Sequence, residues 1–392
     1  MAIKRIVKNA AKPSAPLYLE EAIEKIGSRE PVAEAKDFRV DLNLLVGSFG
    51  EPDVDLEFSP LKGARIESPY GDSNKGRGYE LKVSLKNVAL GTHVLPPPIK
   101  AREFEHHRDI REAQAAYPEF DGMLPDHLPM RVLPRRLSRE LMVPRRAQAV
   151  GEALTDRSER PHMATTIFAP DQRYTFNDTA FPWCTVGKVE TPGGSASGAM
   201  VGPRHLLTCS HAIQWNADGT AGWVKFTPSY FDGSAPFGVA WGTMVYWEGL
   251  KVFGPTINRS EGQHDYVCVV LNTRIGDLTG WMGSRSWSDD WDGEPYWAHI
   301  GYPGDLAGGQ RPSFQGGISL DGSFWDREVH TRIFHRGDVW PGQSGGPFFA
   351  WWAGESWPRV VADQSGQDSD ENSASGGAHM VDCIIRARGD FP

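Results

Sequence analysis

Residues 161–392 are predicted to form an all-β fold, preceded by a small α+β or partly disordered region. Three observations carry this reading. From Thr165 onward the chain is a succession of short strand-like runs ("PWCTVGKVE", "SGAMVG", "HLLTCSHAI", "GWVKFTP", "DYVCVVLNT", "HIGYPGD", "FFAWW", "RVVADQ", "HMVDCII") separated by Gly, Pro, Asn and Asp. Their brevity and spacing suit β-barrels or a sandwich. Long amphipathic helical patterns are absent from this stretch, and all 14 Trp and all four Cys lie beyond residue 160.

The first 160 residues read differently. "YELKVSLKNVAL" alternates Leu81, Val83 and Leu85 like a half-buried strand, and Pro96, Pro97 and Pro98 impose an extended break. Arginine then clusters, with the pairs Arg135-Arg136 and Arg145-Arg146 beside prolines. This gives an N-terminal region over 1–130 (a propeptide or regulatory unit), an Arg-rich linker over 131–160 and the β domain over 161–392. The linker is expected to be exposed, with a short helix near Ala147–Leu154, or else to serve as a processing segment.

Composition bounds the function. Residues 161–392 carry 25 acidic against 15 basic side chains, a surface that disfavours nucleic acid because phosphate binding needs Lys and Arg. No run approaches the about 18 apolar residues of a membrane span, and no apolar h-region of a secretory signal precedes Glu20. Ile3, Ile6, Val7 and Ala10 at helical spacing beside Lys4, Arg5, Lys8 and Lys12 read as a solvated basic tail, with an organelle transit peptide as the alternative. Cys184, Cys209, Cys268 and Cys383 each sit among apolar neighbours and are read as reduced, buried thiols. No metal-ligand spacing or cofactor fingerprint occurs, and the Gly-rich "GGSASGA" and "YGDSNKGRGYE" read as loops.

One hydroxyl stands out. "GQSGGP" sets Ser344 among three glycines, which let a tight turn expose its Oγ and bring backbone N–H groups close to a carbonyl. A plain turn would look the same, and two enzyme classes fit. "GQSGG" matches the nucleophile elbow of α/β-hydrolases, with Asp363 or Asp368 and then His379 as partners. Only 48 residues follow Ser344, however, and the strand–helix alternation of a parallel sheet is missing before it. The alternative draws its partners from upstream: His211 ends one strand-like run and Asp265 opens another, giving the order His, Asp, Ser. His264, His299 and His335 lack that end-of-strand placement and read as structural.

These segments resemble a known family. "LLTCSHAI", "HDYVCVVL" and "GQSGGP" are similar to the histidine, aspartate and serine segments of trypsin-like serine proteases. "HIGYPGD" (299–305) and "IFAPDQRYTFNDTAFPW" (167–183) resemble the V8-like, glutamyl-endopeptidase branch. The resemblance covers 161–392 and implies a double six-stranded antiparallel β-barrel with its active site in the cleft between barrels. It implies His211 as general base and acid, Asp265 as its orienting partner, Ser344 as nucleophile, and the N–H groups of Gly342 and Ser344 as the oxyanion hole. Protein or peptide substrates are implied, with no cofactor; an idle protease-like binding module is the alternative.

The resemblance also implies an S1 pocket with Asp338 and Val339 at its base and walls at Asp363, Gln364, Ser365, Gly366, Gly376 and Gly377. The branch carries Thr or Ser and His where Val339 and Asp363 stand here. A buried carboxylate near S1 would repel a Glu side chain, so strict Glu specificity is not expected. "GQDSDENSASGG" is read as a polar loop beside the cleft.

Overall fold

The computed structural model describes residues 14–32, 53–60, 79–86, 98–104, 119–137, 167–254, 256–258, 260–322, 331–367 and 371–392. The first barrel comprises β1 (Val186–Thr191), β2 (Gly194–Gly202), β3 (His205–Thr208), β4 (Lys225–Pro228), β5 (Ala240–Trp247) and β6 (Val267–Leu271). Its antiparallel path β4–β1–β2–β3–β6–β5 returns to β4 through Lys225 opposite Trp241 and Phe226 opposite Ala240, closing six strands. Val189, Met200, Leu206, Phe226, Val267, Val269 and Leu271 share its core.

The second barrel comprises β7 (Trp297–Gly301), β8 (Ser313–Ile318), β9 (Leu320–Asp321), β10 (Thr331–His335), β11 (Pro347–Ala350), β12 (Arg359–Gln367) and β13 (Asn372–Gly376). The path runs β8–β7–β11–β12–β13–β10–β9. Because β9 continues β8 past the single residue Ser319, it returns to the strand where it began. The expected double six-stranded β-barrel is therefore observed. Trp287, Trp291, Trp297 and Trp352 fill the second core in edge-to-face and tilted contacts, with ring centroids 5.5–6.2 Å apart.

Three local expectations are corrected. "GQDSDENSASGG" is expected as a polar loop, but its Asn372–Gly376 is the buried strand β13, paired on both sides with β10 and β12. "GGSASGA" was expected to loop, but all of it after Gly193 lies in β2. A Cβ at Gly198 would sit 2.7 Å from Leu206 Cδ1 and 2.8 Å from the Leu207 carbonyl, so this glycine serves close strand packing rather than a turn. "HMVDCII" was expected as a strand and instead lies in helix α2 (Ala378–Asp390), the first helix, α1, being Leu19–Lys25. Met380, Val381, Cys383, Ile384 and Ala387 are buried at the 3, 4 and 7 spacing of one helix face. That face packs with Cys268 and Val270, while Val267, Val269 and Leu271 point into the barrel. The unbroken apolar run of β6 follows from burial on both sides. All four cysteines are free and buried.

Several N-terminal segments are built into the β domain. Lys100–Glu103 adds a parallel strand to Met244–Trp247 of β5, and Ile99 bridges Ala221. Leu17, Ala22, Leu128, Met130 and Val132 bury themselves against Phe181, Cys184 and Trp351. The expected strand in "YELKVSLKNVAL" forms as Tyr79–Lys86, paired with Asp53–Pro60. The linker expectation needs revision at its start: Val132 and Leu137 are buried, the Arg135 N–H donates to Asp178, and Arg136 stacks 4.0 Å from the Tyr174 ring centroid. The helix expected near 147–154 and Arg145-Arg146 lie outside the described residues.

A chain beginning at residue 161 would lose these covering segments and expose Phe181 and the edge of β5. It is expected to unfold at a clearly lower temperature than the full chain, or not to fold, as differential scanning calorimetry of the two will report.

Candidate active site

Each candidate side chain sits where a strand ends and the backbone is free to turn. His211 occupies a single 3₁₀ turn, Ser210–Ala212, directly after β3; Asp265 lies two residues before β6; Ser344 lies in the turn between β10 and β11. Asp265 is fully buried. Its Oδ2 accepts from His211 Nδ1 at 2.7 Å and from Ser365 Oγ at 2.6 Å, and its Oδ1 accepts from the His211 backbone N–H at 2.8 Å. With Nδ1 committed to Asp265, Nε2 is the ring nitrogen left to face the cleft. It lies 3.8 Å from Cys209 Sγ, and among the described residues it makes no hydrogen bond to Ser344 Oγ. Such contacts are often long in unliganded sites and tighten on substrate binding.

The turn that carries Ser344 is tied down at several points. Gly342 adopts φ +103°, and a Cβ there would collide with the Tyr302 carbonyl, so no other residue fits. The Gly342 carbonyl accepts from Ser197 Oγ at 2.8 Å, that oxygen accepts the Tyr302 N–H at 2.9 Å, and the Ser197 N–H donates to the Ser344 carbonyl at 2.8 Å. The carbonyls thus point into the protein. Among the described residues the N–H groups of Gly342 and Ser344 have no intramolecular acceptor, which leaves them available to an oxyanion.

His211, Gly342, Ser344, Val339, Gln364, Ser365 and Gly366 line one cleft of about 580 Å³. The other residues expected around S1 lie elsewhere. Asp338 is buried and turned away: its carboxylate accepts the N–H groups of Phe168 (2.7 Å) and Gln172 (2.9 Å). Asp363 lies inside β12, cross-strand from Pro347 and Ser375. Burial, and then the neighbouring Asp265 carboxylate, push its pKa well above the usual carboxylate range, which favours the neutral acid. Gly376 packs against the Val361 carbonyl within the barrel, and Gly377 caps α2. No carboxylate among these expected residues faces the cleft.

The three other histidines are engaged elsewhere. His335 accepts the Gly337 N–H at its Nδ1 and meets Gln364 Oε1 with Nε2 at 3.0 Å, and burial pushes its pKa down to about 3. His299 Nδ1 faces Gln343 Nε2, and His264 pairs with Glu248. The sequence pattern left out Ser197 and Arg332, and marked Ser365 as a pocket wall but not as a partner of Asp265. A lone serine inside a strand carries no local mark, and its partner lies 100 or more residues away. Among the described residues, no group of three or more His, Cys, Asp or Glu side chains is placed to hold a metal ion, and no helix is long and apolar enough to cross a membrane.

Comparison with known proteins gives the following. No family model matches the chain. A curated relative, a glutamyl endopeptidase of Bacillus licheniformis, is 26% identical over 195 residues, covering 49% of this chain and 57% of the relative. The chain therefore spans little more than half the length of that relative. Among solved structures, a Glu endopeptidase in complex with MPD (21% identity, TM-score 0.46) matches over 57% of this chain and all of that one. The thermostable serine protease AL20 from an extremophilic microorganism (19%, TM-score 0.41) matches over 53% of this chain and 98% of its own. The sequence relationship supports the V8-like, trypsin-type resemblance of the motifs.

Burial alone would push the His211 pKa down, but the Asp265 carboxylate and the Cys209 thiol outweigh it and hold it well above the ordinary 6.5. An NMR titration should therefore place its protonation step above 6.5, and Asp265→Asn should move it to lower pH. A wild-type midpoint below 6.5 would contradict this electrostatic account.

Proposed function

We propose that this chain is a serine endopeptidase of the V8-like type, hydrolysing peptide bonds through Ser344, His211 and Asp265. The observation that carries the reading is the buried Asp265 carboxylate holding the His211 ring in one tautomer, in the same cleft as Ser344.

The steps follow from the geometry. Neutral His211 accepts the Ser344 proton at Nε2 as Oγ attacks the scissile carbonyl carbon. The negative charge that develops on the carbonyl oxygen is met by the N–H groups of Gly342 and Ser344. Asp265 stabilises the imidazolium without taking its proton. His211 then gives that proton to the leaving amine as the C–N bond breaks, leaving an acyl group on Ser344. Water, deprotonated by the same Nε2, attacks the ester, and the proton returns to Ser344 as the acid product leaves. Ser365 holds Asp265 from the second barrel.

Specificity follows from the lining. Val339, Gln364, Ser365 and Gly366 offer an uncharged pocket beside Ser344. Gly262, three residues before Asp265, packs against the stem of Arg332, the one permanently charged side chain lining the cleft among the described residues. A Glu at the scissile position is then not required.

Ser344→Ala should reduce kcat on the order of 10⁶-fold, by analogy with nucleophile removal in subtilisin, and should abolish labelling by a fluorophosphonate probe. An unlabelled, inactive wild-type chain would overturn the endopeptidase reading. A peptide-library profile is expected to show cleavage after uncharged residues as well as Glu; exclusive cleavage after Glu would refute the pocket assignment.

A further inference from the structure

Three residues that the mechanism above leaves unused, Arg173, Asp305 and Gln343, meet around one buried guanidinium. Arg173 comes from "PDQRY", Asp305 from "GYPGD" and Gln343 from "GQSGG", and they meet beneath the turn that carries Ser344. The Arg173 side chain is 1% exposed, and all five of its N–H donors are used. Nε and one Nη2 hydrogen go to Asp171, at 3.1 and 3.0 Å; the other Nη2 hydrogen and one from Nη1 go to Asp305; the last Nη1 hydrogen goes to Gln343 Oε1 at 2.8 Å. Two carboxylates offset the buried charge, so the bond to the neutral amide is charge-assisted without leaving the cation uncompensated.

Gln343 transmits this to the backbone. Its Oε1 also accepts the Trp340 N–H at 2.9 Å, closing the turn onto itself, and its Nε2 meets His299 Nδ1 at 3.2 Å. Burial holds His299 neutral, so its Nδ1 accepts and the amide orientation is defined from both ends. Gln343 lies between Gly342 and Ser344, whose N–H groups are the oxyanion donors of the proposed function. A second tie runs in parallel: Asp338 accepts the N–H groups of Phe168 and Gln172, binding the segment that bears Arg173 to the same loop.

We propose that Arg173 is a positioning residue that holds the oxyanion turn through Gln343, and that it does so in the uncleaved chain, because the clamp uses an internal side chain and needs no free amino terminus. No described residue before Thr191 lines the cleft, so the described N-terminal segments do not occlude it. The inference rests on the endopeptidase reading and adds a positioning element and a prediction about processing. Losing the clamp would let the turn relax, and a displacement of about 1 Å of a catalytic group can cost on the order of 10²-fold in rate.

The test uses the full 392-residue chain as wild type, Arg173→Met, Arg173→Lys and Gln343→Leu. Peptide hydrolysis is measured per folded molecule, melting temperature is followed separately, and intact mass is checked after assay. The wild type should cleave peptides at its full mass. Arg173→Met and Gln343→Leu should each lower kcat about 10²-fold with KM changed less than about twofold, and Arg173→Lys, which keeps the charge but not the fork, should fall between. Where Arg173→Met does not fold, Gln343→Leu decides, since it leaves the Arg173–Asp305 pair intact. A lowered melting temperature with unchanged kcat per folded molecule would overturn the clamp, as would activity that appears only after N-terminal cleavage. A wild type neither active nor labelled by a fluorophosphonate would instead sink the endopeptidase reading, and this inference with it.

Discussion

Much of the structure turns on one buried carboxylate. Asp265 takes two hydrogen bonds from His211 on the first barrel and one from Ser365 on the second. A charge so placed is tolerated only while its donors stay in place, since breaking such an arrangement costs on the order of 3–5 kcal/mol. The two barrels are thereby held in one register at the cleft, and the imidazole is held in the tautomer that general-base chemistry needs. The neighbouring Asp363 shows the same rule from the other side: buried close to Asp265, it is stable there as the neutral acid.

The turn that carries Ser344 follows a related logic with opposite charge. Its backbone conformation places Gly342 in the left-handed region, and nothing intrinsic to six residues rich in glycine would keep it there. Ser197 from the first barrel, Arg173 from the approach segment and the Tyr302 carbonyl from the second barrel each press on it. The Gly342 and Ser344 N–H groups, the proposed oxyanion donors, are therefore set by three distant parts of the chain. The N-terminal segments add a further layer of support: Lys100–Glu103 adds a strand to β5, and Leu17, Ala22, Leu128, Met130 and Val132 pack in one apolar cluster with Phe181 and Trp351.

Sequence reading went furthest where residue type and chemistry coincide. His211, Asp265 and Ser344 stand out as one candidate set because turn-forming glycines, an apolar strand and an end-of-strand histidine occur in one order, and the same alternation announces the β class. It went astray where one pattern has two physical meanings. The pattern around Gly198 reads as a turn, whereas its missing Cβ admits Leu206, and "HMVDCII" reads as a strand, whereas the same apolar residues also satisfy one helix face. The S1 residues divided for a similar reason. Spacing from Ser344 located Val339, but whether a side chain such as Asp338 faces the cleft or the segment 167–173 depends on which donors the fold brings to it.

The sequence by itself determined the β texture, the acidic balance of the second part and the choice of Ser344, His211 and Asp265 as the candidate catalytic set, because these are properties of local pattern and side-chain type. Only the tertiary structure decided which buried polar groups meet. Ser365 reaches Asp265, Arg173 reaches Gln343 and Asp305, and Asp338 turns to backbone N–H groups rather than to the cleft. Each is a pairing across long sequence separation, chosen because a buried charge or amide must find a partner inside the fold, and no local pattern records where that partner lies.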